Sequence, residues 1–216
     1  MAIDIYSVAD TAGPASDYPY ALVMVYSFSR FPCVAALHSK HPEEVCGHLA
    51  TEWSSHGVPR ILMHDRGSEF NAAVADLCNT LGVTQVRTAP RSPHSTGVVE
   101  RVNLELNHEL RRFRKSGEDQ RCWSVFLPTI MVKLRSTVHA STGYSPYELF
   151  GKITPVVAGA TPQEHPELSD FDADFKSEAQ WLTWVNQLQG KRSRALVNDI
   201  ETRDARIERM NQRRAE

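Results

Sequence analysis

No stretch of this 216-residue chain stays apolar for anything near the roughly 20 residues that a bilayer-spanning helix requires. Its N-terminus also lacks a basic flank followed by an apolar core. Those two features argue against a membrane or secreted location, so an intracellular protein without a membrane partner is expected. Cysteine is sparse: Cys33, Cys46, Cys78 and Cys122 are scattered, with no Cys-x-x-Cys pair, and read as reduced core thiols. A zinc site drawn from Cys33, His38, His41, Cys46 and His48 matches no common finger spacing. There is no excess of positive charge either. With 24 Lys and Arg against 26 Asp and Glu the net charge is −2, which excludes a surface that is basic all over. No internal repeat is present. What remains, 41% hydrophobic and 23% charged residues, is the composition of a folded globular chain, long enough for one ordinary domain and an appendage.

The distribution of charge says more than its sum. Between positions 87 and 115 seven basic residues (Arg87, Arg91, Arg101, Arg111, Arg112, Arg114, Lys115) face three acids, Glu100, Glu105 and Glu109. Such a local excess can meet phosphates. From Thr161 to Glu178 the balance reverses and the composition is that of a linker.

Periodicity predicts strands over 2–8, 20–28 and 32–37, joined without an intervening helix and therefore an antiparallel meander. A helix follows from Pro42 to about Ser55, with Val45, Leu49 and Trp53 on one face and Gly57 as its stop. A short buried strand is expected at 60–64. Ser68 reads as the N-cap of a second helix carrying Phe70, Val74, Leu77 and Leu81, and a fifth strand spans 83–87. The turn-forming stretch 88–97 reads as a mobile loop, with Glu100 opening the helix after it. Residues 120–140 are helical in period, interrupted by Pro128, and Ser145-Pro146 opens a short helix ending near Gly151. Residues 177–214 read as one long helix or a pair broken near Gly190.

Three acids stand out against this background. Asp4 lies in the alternating run Ala2-Ile3-Asp4-Ile5-Tyr6, where a carboxylate inside a buried strand is costly unless a cation or partner neutralises it. Asp65 follows Ile61-Leu62-Met63 at a strand's carboxyl end, and Glu100 follows Gly97-Val98-Val99. Each is placed to project into one shared site, a pattern that suits divalent-metal phosphoryl transfer. Singly, they read as a strand-edge acid, a turn former and a first-turn helix acid.

Three separated motifs carry a resemblance: His64-Asp65-Arg66-Gly67-Ser68-Glu69-Phe70, then 92–103 (Ser-Pro-His-Ser-Thr-Gly-Val-Val-Glu-Arg-Val-Asn), then 141–151 (Ser-Thr-Gly-Tyr-Ser-Pro-Tyr-Glu-Leu-Phe-Gly). In this order the chain resembles the catalytic core of retroviral and retrotransposon integrases, the third motif most of all the gypsy-type elements. The resemblance runs from about Asp4 to Gly151. It implies an α/β, ribonuclease-H-like fold with a five-stranded mixed sheet flanked by helices, agreeing with the order of elements read above. The domains expected are a core over 1–155, an acidic linker over 156–176 and a C-terminal helical extension over 177–216.

The resemblance also implies a function: 3′-end processing of DNA followed by strand transfer into target DNA. Two Mg2+ or Mn2+ ions are expected, with Asp4 bridging them and Asp65 and Glu100 each completing one site. DNA, as element ends and as target, and further copies of the chain in a homo-oligomer are the implied partners, with 123–138 a candidate interface and the nucleus the place of action on host DNA. Arg91, Ser95 and Thr96 fall in the loop where the family contacts substrate ends. Beyond them Glu100, Asn103, Asn107, Arg111 and Arg114 recur along one side of a helix, beside an apolar stripe of Val99, Val102, Leu106, Leu110 and Phe113. That polar stripe can follow a nucleic-acid backbone outward from the metal site. His64 reads as packed or hydrogen-bonded, since a two-metal centre needs no imidazole base.

The chain departs from the family's pattern at Tyr26, where an Asp is usual, at Arg91-Ser92-Pro93, where Tyr-His-Pro is usual, and at Leu134-Arg135, where Tyr-Asn is usual. The N-terminal His/Cys zinc domain and the C-terminal domain of full-length members are not in this sequence, so a piece of a polyprotein or a truncated copy is expected. Two alternatives stay open: a hydrolytic ribonuclease-H-type nuclease, and a domesticated or decayed copy that binds DNA or acts as a scaffold without catalysis.

Overall fold

Residues 1–8, 18–65, 67–70, 73–88, 93–115, 120–151 and 178–215 are described by a computed structural model. Alternating apolar residues form β1 (Ala2–Ser7), and near-continuous apolar runs form β2 (Tyr20–Tyr26) and β3 (Phe31–Leu37). They pair as the expected antiparallel meander, Asp4 lying opposite Val23 and Met24 opposite Cys33. A turn through residues 27–30 joins β2 to β3, with Arg30 in the left-handed region at φ 58°. Two short strands, β4 (Ile61–His64) and β5 (Thr84–Arg87), add in parallel on the other side of β1. The resulting mixed sheet has the order β3-β2-β1-β4-β5, which leaves β1 in the centre.

Helix α1 (Pro42–His56) begins at a proline, where a missing N–H costs nothing, and stops at Gly57. Its buried face is Val45, Leu49 and Trp53. The second helix differs from expectation. Ser68 does not cap it but begins a 3₁₀ turn (Ser68–Phe70), and α2 proper spans Ala73–Leu81. Val74 and Cys78 are its buried residues, while Leu81 is exposed.

Helix α3 (Pro93–Lys115) is longer than the sequence suggested, starting at Pro93 rather than near Glu100. The turn formers of 93–97 are therefore helical. Proline is favoured in a first helical turn, and Gly97 costs only about 1 kcal/mol inside a helix, a cost that buried Val99, Val102, Leu106 and Leu110 outweigh. Glu100 consequently sits in the helix interior and not at its N-terminus. A 3₁₀ segment (Gln120–Phe126) then leads into α4 (Leu127–Ser136), and Pro128 starts that helix instead of interrupting one. Val138 lies beyond its end and is exposed.

The chain divides into two compact units, Met1–Met131 and Val132–Glu216. The second contains α5 (Pro146–Phe150) and α6 (Glu178–Ala215). Ser145 caps α5 through a reciprocal capping box with Glu148, and Gly151 ends it in the left-handed conformation. α6 runs unbroken through Gly190. Its Arg192 donates to the Leu149 carbonyl (3.0 Å) and Asn198 to that of Thr142 (2.9 Å). The acidic stretch 156–176 lies outside the described residues.

Candidate active site

The parallel pairing of β1 with β4 places Ala2 opposite Met63. Carrying that register forward by two residues sets Asp65 level with Asp4 on the adjacent strand, about 5 Å away by interstrand spacing. The two carboxylates sense each other. Burial pushes the Asp4 carboxyl above its ordinary range, and the charge of Asp65 adds to the push. Opposing both is a hydrogen bond from Asn103, whose Nδ2 donates to Asp4 Oδ2 at 2.8 Å. Lys40 also lowers the Asp4 value through its charge.

Asp65 itself is exposed and accepts from the Gly67 backbone N–H through Oδ1 (2.9 Å), a turn that holds the carboxylate at the strand end. Behind it His64 is buried, 2% exposed, with its ring 4.8 Å from that of Phe70. Burial lowers its pKa, and its neutral ring donates from Nδ1 to the Asp65 carbonyl (2.6 Å). It is a packed residue that steadies the turn.

Glu100 lies on α3 one helical turn before Asn103, with its side chain exposed, and its carboxylate does not gather with those of Asp4 and Asp65 within the 4.8 Å of a ready metal cluster. The helix lies over the sheet through Val99, Val102, Leu106 and Leu110, all buried, so the adjacent stripe of Glu100, Asn103, Asn107 and Arg111 faces partly outward. Asn103 and Asn107 are half-buried and Arg111 is exposed. The Asn103 amide is directed to Asp4, and its buried Oδ1 meets no hydrogen-bond donor among the described residues. Arg91 lies outside the described residues, and so do the side chains of Ser95, Thr96 and Arg114.

Two features of the site were not legible in the sequence. Lys40 follows β3 in a connection rich in polar residues, where nothing in its context points to Asp4. The bond from Asn103 to Asp4 spans 99 positions and exists only because α3 crosses β1. The expected donors Asp4, Asp65 and Glu100 offer oxygen alone, and the fold draws the first two together at a partly desolvated position. Such a set fits a hard divalent cation, which would relieve the repulsion that raises Asp4.

Among solved structures, the catalytic core domain of BIV integrase superposes with a TM-score of 0.55 at 23% identity, covering 69% of this chain and 91% of that one. The Gag-Pol polyprotein of Walleye dermal sarcoma virus is 28% identical over 174 residues, 78% of this chain. That of Avian reticuloendotheliosis virus is 32% identical over 144 residues, 65% of this chain. The chain is similar to an integrase catalytic core and to the Pol polyproteins of retroviruses. A Pol polyprotein from transposon 412 of Drosophila melanogaster matches it as well, at 25% identity over 152 residues and 67% of its length. This core spans only 9% of the walleye virus polyprotein and 12% of the other two. Residues 35–115 match the family model described as the TnsB C-terminal domain. The five-stranded mixed sheet with its flanking helices is the ribonuclease-H-like fold of the integrase core.

Proposed function

We propose that this integrase-like core carries out DNA 3′-end processing and strand transfer, with Asp4, Asp65 and Glu100 as its catalytic carboxylates. The observation that carries the reading is the convergence on Asp4 of two other elements. Asp65 comes level with it from β4, and α3 reaches it through Asn103, one turn from Glu100. The three acids would hold two Mg2+ or Mn2+ ions, which when bound neutralise charge on phosphate oxygens and activate an attacking hydroxyl.

The protein's own groups prepare that centre. Asn103 fixes the rotamer of Asp4, and the Gly67 N–H fixes that of Asp65. Buried His64 stays neutral, leaving the carboxylates as the local anions. Arg111 extends the stripe by nearly three turns, where it would neutralise the backbone of bound DNA without reading sequence. Lys40, whose charge is felt at Asp4, would be a second cation for phosphate. The same chemistry brings the partners, element ends and target DNA, and places the reaction in the nucleus when host DNA is the target.

The test is joining of an oligonucleotide end to a second duplex in the presence of Mg2+ or Mn2+. The wild-type chain should join strands, and Asp4→Asn, Asp65→Asn and Glu100→Gln should each lower the rate by at least about 10³-fold, the scale on which loss of electrostatic stabilisation is felt. Release of cut product with no joining would replace this reading with a ribonuclease-H-type nuclease. DNA binding that persists with no metal-dependent reaction in any variant or in the wild type would replace it with a scaffold.

A further inference from the structure

The stripe of α1 beside Trp53 changes character along its length. It runs Val45, Leu49, then Glu52 and His56, spaced four, three and four residues apart so that all share one face. The first half packs as core. The second half presents a carboxylate and an imidazole, with side chains only 12% and 15% exposed, to the edge strand β3. There it meets Cys33, itself 2% exposed. The Cys33 thiol donates to Glu52 Oε1 at 2.8 Å, and His56 Nδ1 approaches the same oxygen at 2.8 Å. One ligand atom from each of the three residues lies within 4.8 Å of the others.

We propose that Cys33, Glu52 and His56 form a zinc site that fastens the end of α1 to the edge strand β3. A thiolate, an imidazole and a carboxylate are the three donor types zinc accepts, whereas Mg2+ and Ca2+ avoid sulfur. Donors bonded at roughly 2.0 to 2.3 Å in a tetrahedral shell stand about 3.5 Å from one another, so side-chain rotations of less than a bond length bring this trio to that spacing. Binding replaces the thiol proton, which is released to solvent, and water completes the fourth position. Cys33 belongs to β3 and Glu52 and His56 to α1, so one ion bound by all three ties those two elements together. The rings of Phe31 and Tyr26, 5.4 and 6.5 Å from that of His56, wall it with aromatic surface. This centre shares no residue with the Asp4 site and does not depend on the reading of that site.

None of the usual finger spacings announces it. Cys33 is 19 residues from Glu52 in the chain, and only the packing of α1 on the sheet joins them. Two of the other residues that the sequence offers for zinc are engaged elsewhere: the ring of His38 lies 4.1 Å from that of Tyr18, and the thiol of Cys46 donates to the Ala73 carbonyl (3.5 Å).

Titration of the chelator-treated chain with cobalt(II) tests the proposal. A single equivalent should produce thiolate-to-cobalt charge-transfer absorption in the near ultraviolet, which zinc(II) then abolishes by displacement. Cys33→Ser should remove the band entirely. His56→Gln, at a position near the helix end that tolerates change, should weaken cobalt binding by at least the roughly 10 to 100-fold that loss of an outer-shell partner costs. Asp4→Asn should leave the band as it is. Zinc should also raise the unfolding midpoint of the wild type and not that of Cys33→Ser. Absence of the band in the folded wild-type chain, or its survival in Cys33→Ser, overturns the site, and if Cys33→Ser fails to fold, an unweakened band in His56→Gln does so as well.

Discussion

Asp4 is held in the central strand against its own preference. Its carboxyl is raised above the ordinary value by burial and then by Asp65, so the folded state favours the protonated form more than the unfolded chain does. The sign follows: a raised carboxyl pKa contributes stability that is present below the unfolded value and lost as pH climbs through the folded one. Without metal, Asp4→Asn is therefore expected to raise the thermal midpoint at pH 7, and the gap over the wild type should close as pH falls below the ordinary aspartate value. Thermal denaturation at a series of pH values, followed by circular dichroism, measures this. Mg2+ should reverse the order by stabilising the wild type alone. Asn103 belongs to the same balance. Asn103→Ala removes the donor to Asp4 and leaves a partly desolvated carboxylate without it, so metal affinity read by calorimetry should fall roughly 10- to 150-fold, the equivalent of about 1.5 to 3 kcal/mol for a charge-assisted bond. Arg111 acts at longer range. Arg111→Ala should lower the slope of log affinity against log salt by about 0.9 for duplex DNA if it meets one phosphate, with little change in sequence preference.

At the scale of elements, α3 serves two purposes with two adjoining stripes. Val99, Val102, Leu106 and Leu110 are buried, and the polar stripe beside them is positioned by that burial. Leu106→Ala should cost about 2 to 5 kcal/mol in urea unfolding, and it should also reduce metal-dependent joining, because Glu100 and Asn103 ride on the same helix. The end of α5 is a second local device. Gly151 adopts φ 79°, and a Cβ there would stand 2.9 Å from Leu188 Cδ2 on α6. Gly151→Ala is expected to lower stability by about 1 to 2 kcal/mol or more, which differential scanning calorimetry would register, while chemistry at Asp4 in the other unit stays unchanged. Helix starts were the elements read least well. Ser68 looked like a cap and proved to begin a 3₁₀ turn, and the Pro93 stretch looked like a loop and proved helical. Capping and turn residues overlap in type, so local composition alone does not choose between them.

Across the molecule, the proposed catalytic carboxylates all belong to the unit Met1–Met131. A chain ending after Gly151 should keep the Mg2+-induced rise in unfolding midpoint, and loss of that rise would tie the metal centre to α6. Hydrophobic periodicity alone marked the three-strand meander, α1 with its inner face, and the two stripes of α3, because burial on one side imposes a period of two or 3.6 residues that survives in the linear order. The proposed acid trio rests on the motifs around it. Hidden from the sequence were contacts whose partners are remote: Asn103 on Asp4, Lys40 beside Asp4, and Cys33 against Glu52 and His56. Local patterning determined which residues could be strands, helices and charged positions. Only the stacking of α1 and α3 on the sheet decided which charges meet, since proximity across a packed layer leaves no spacing in the chain.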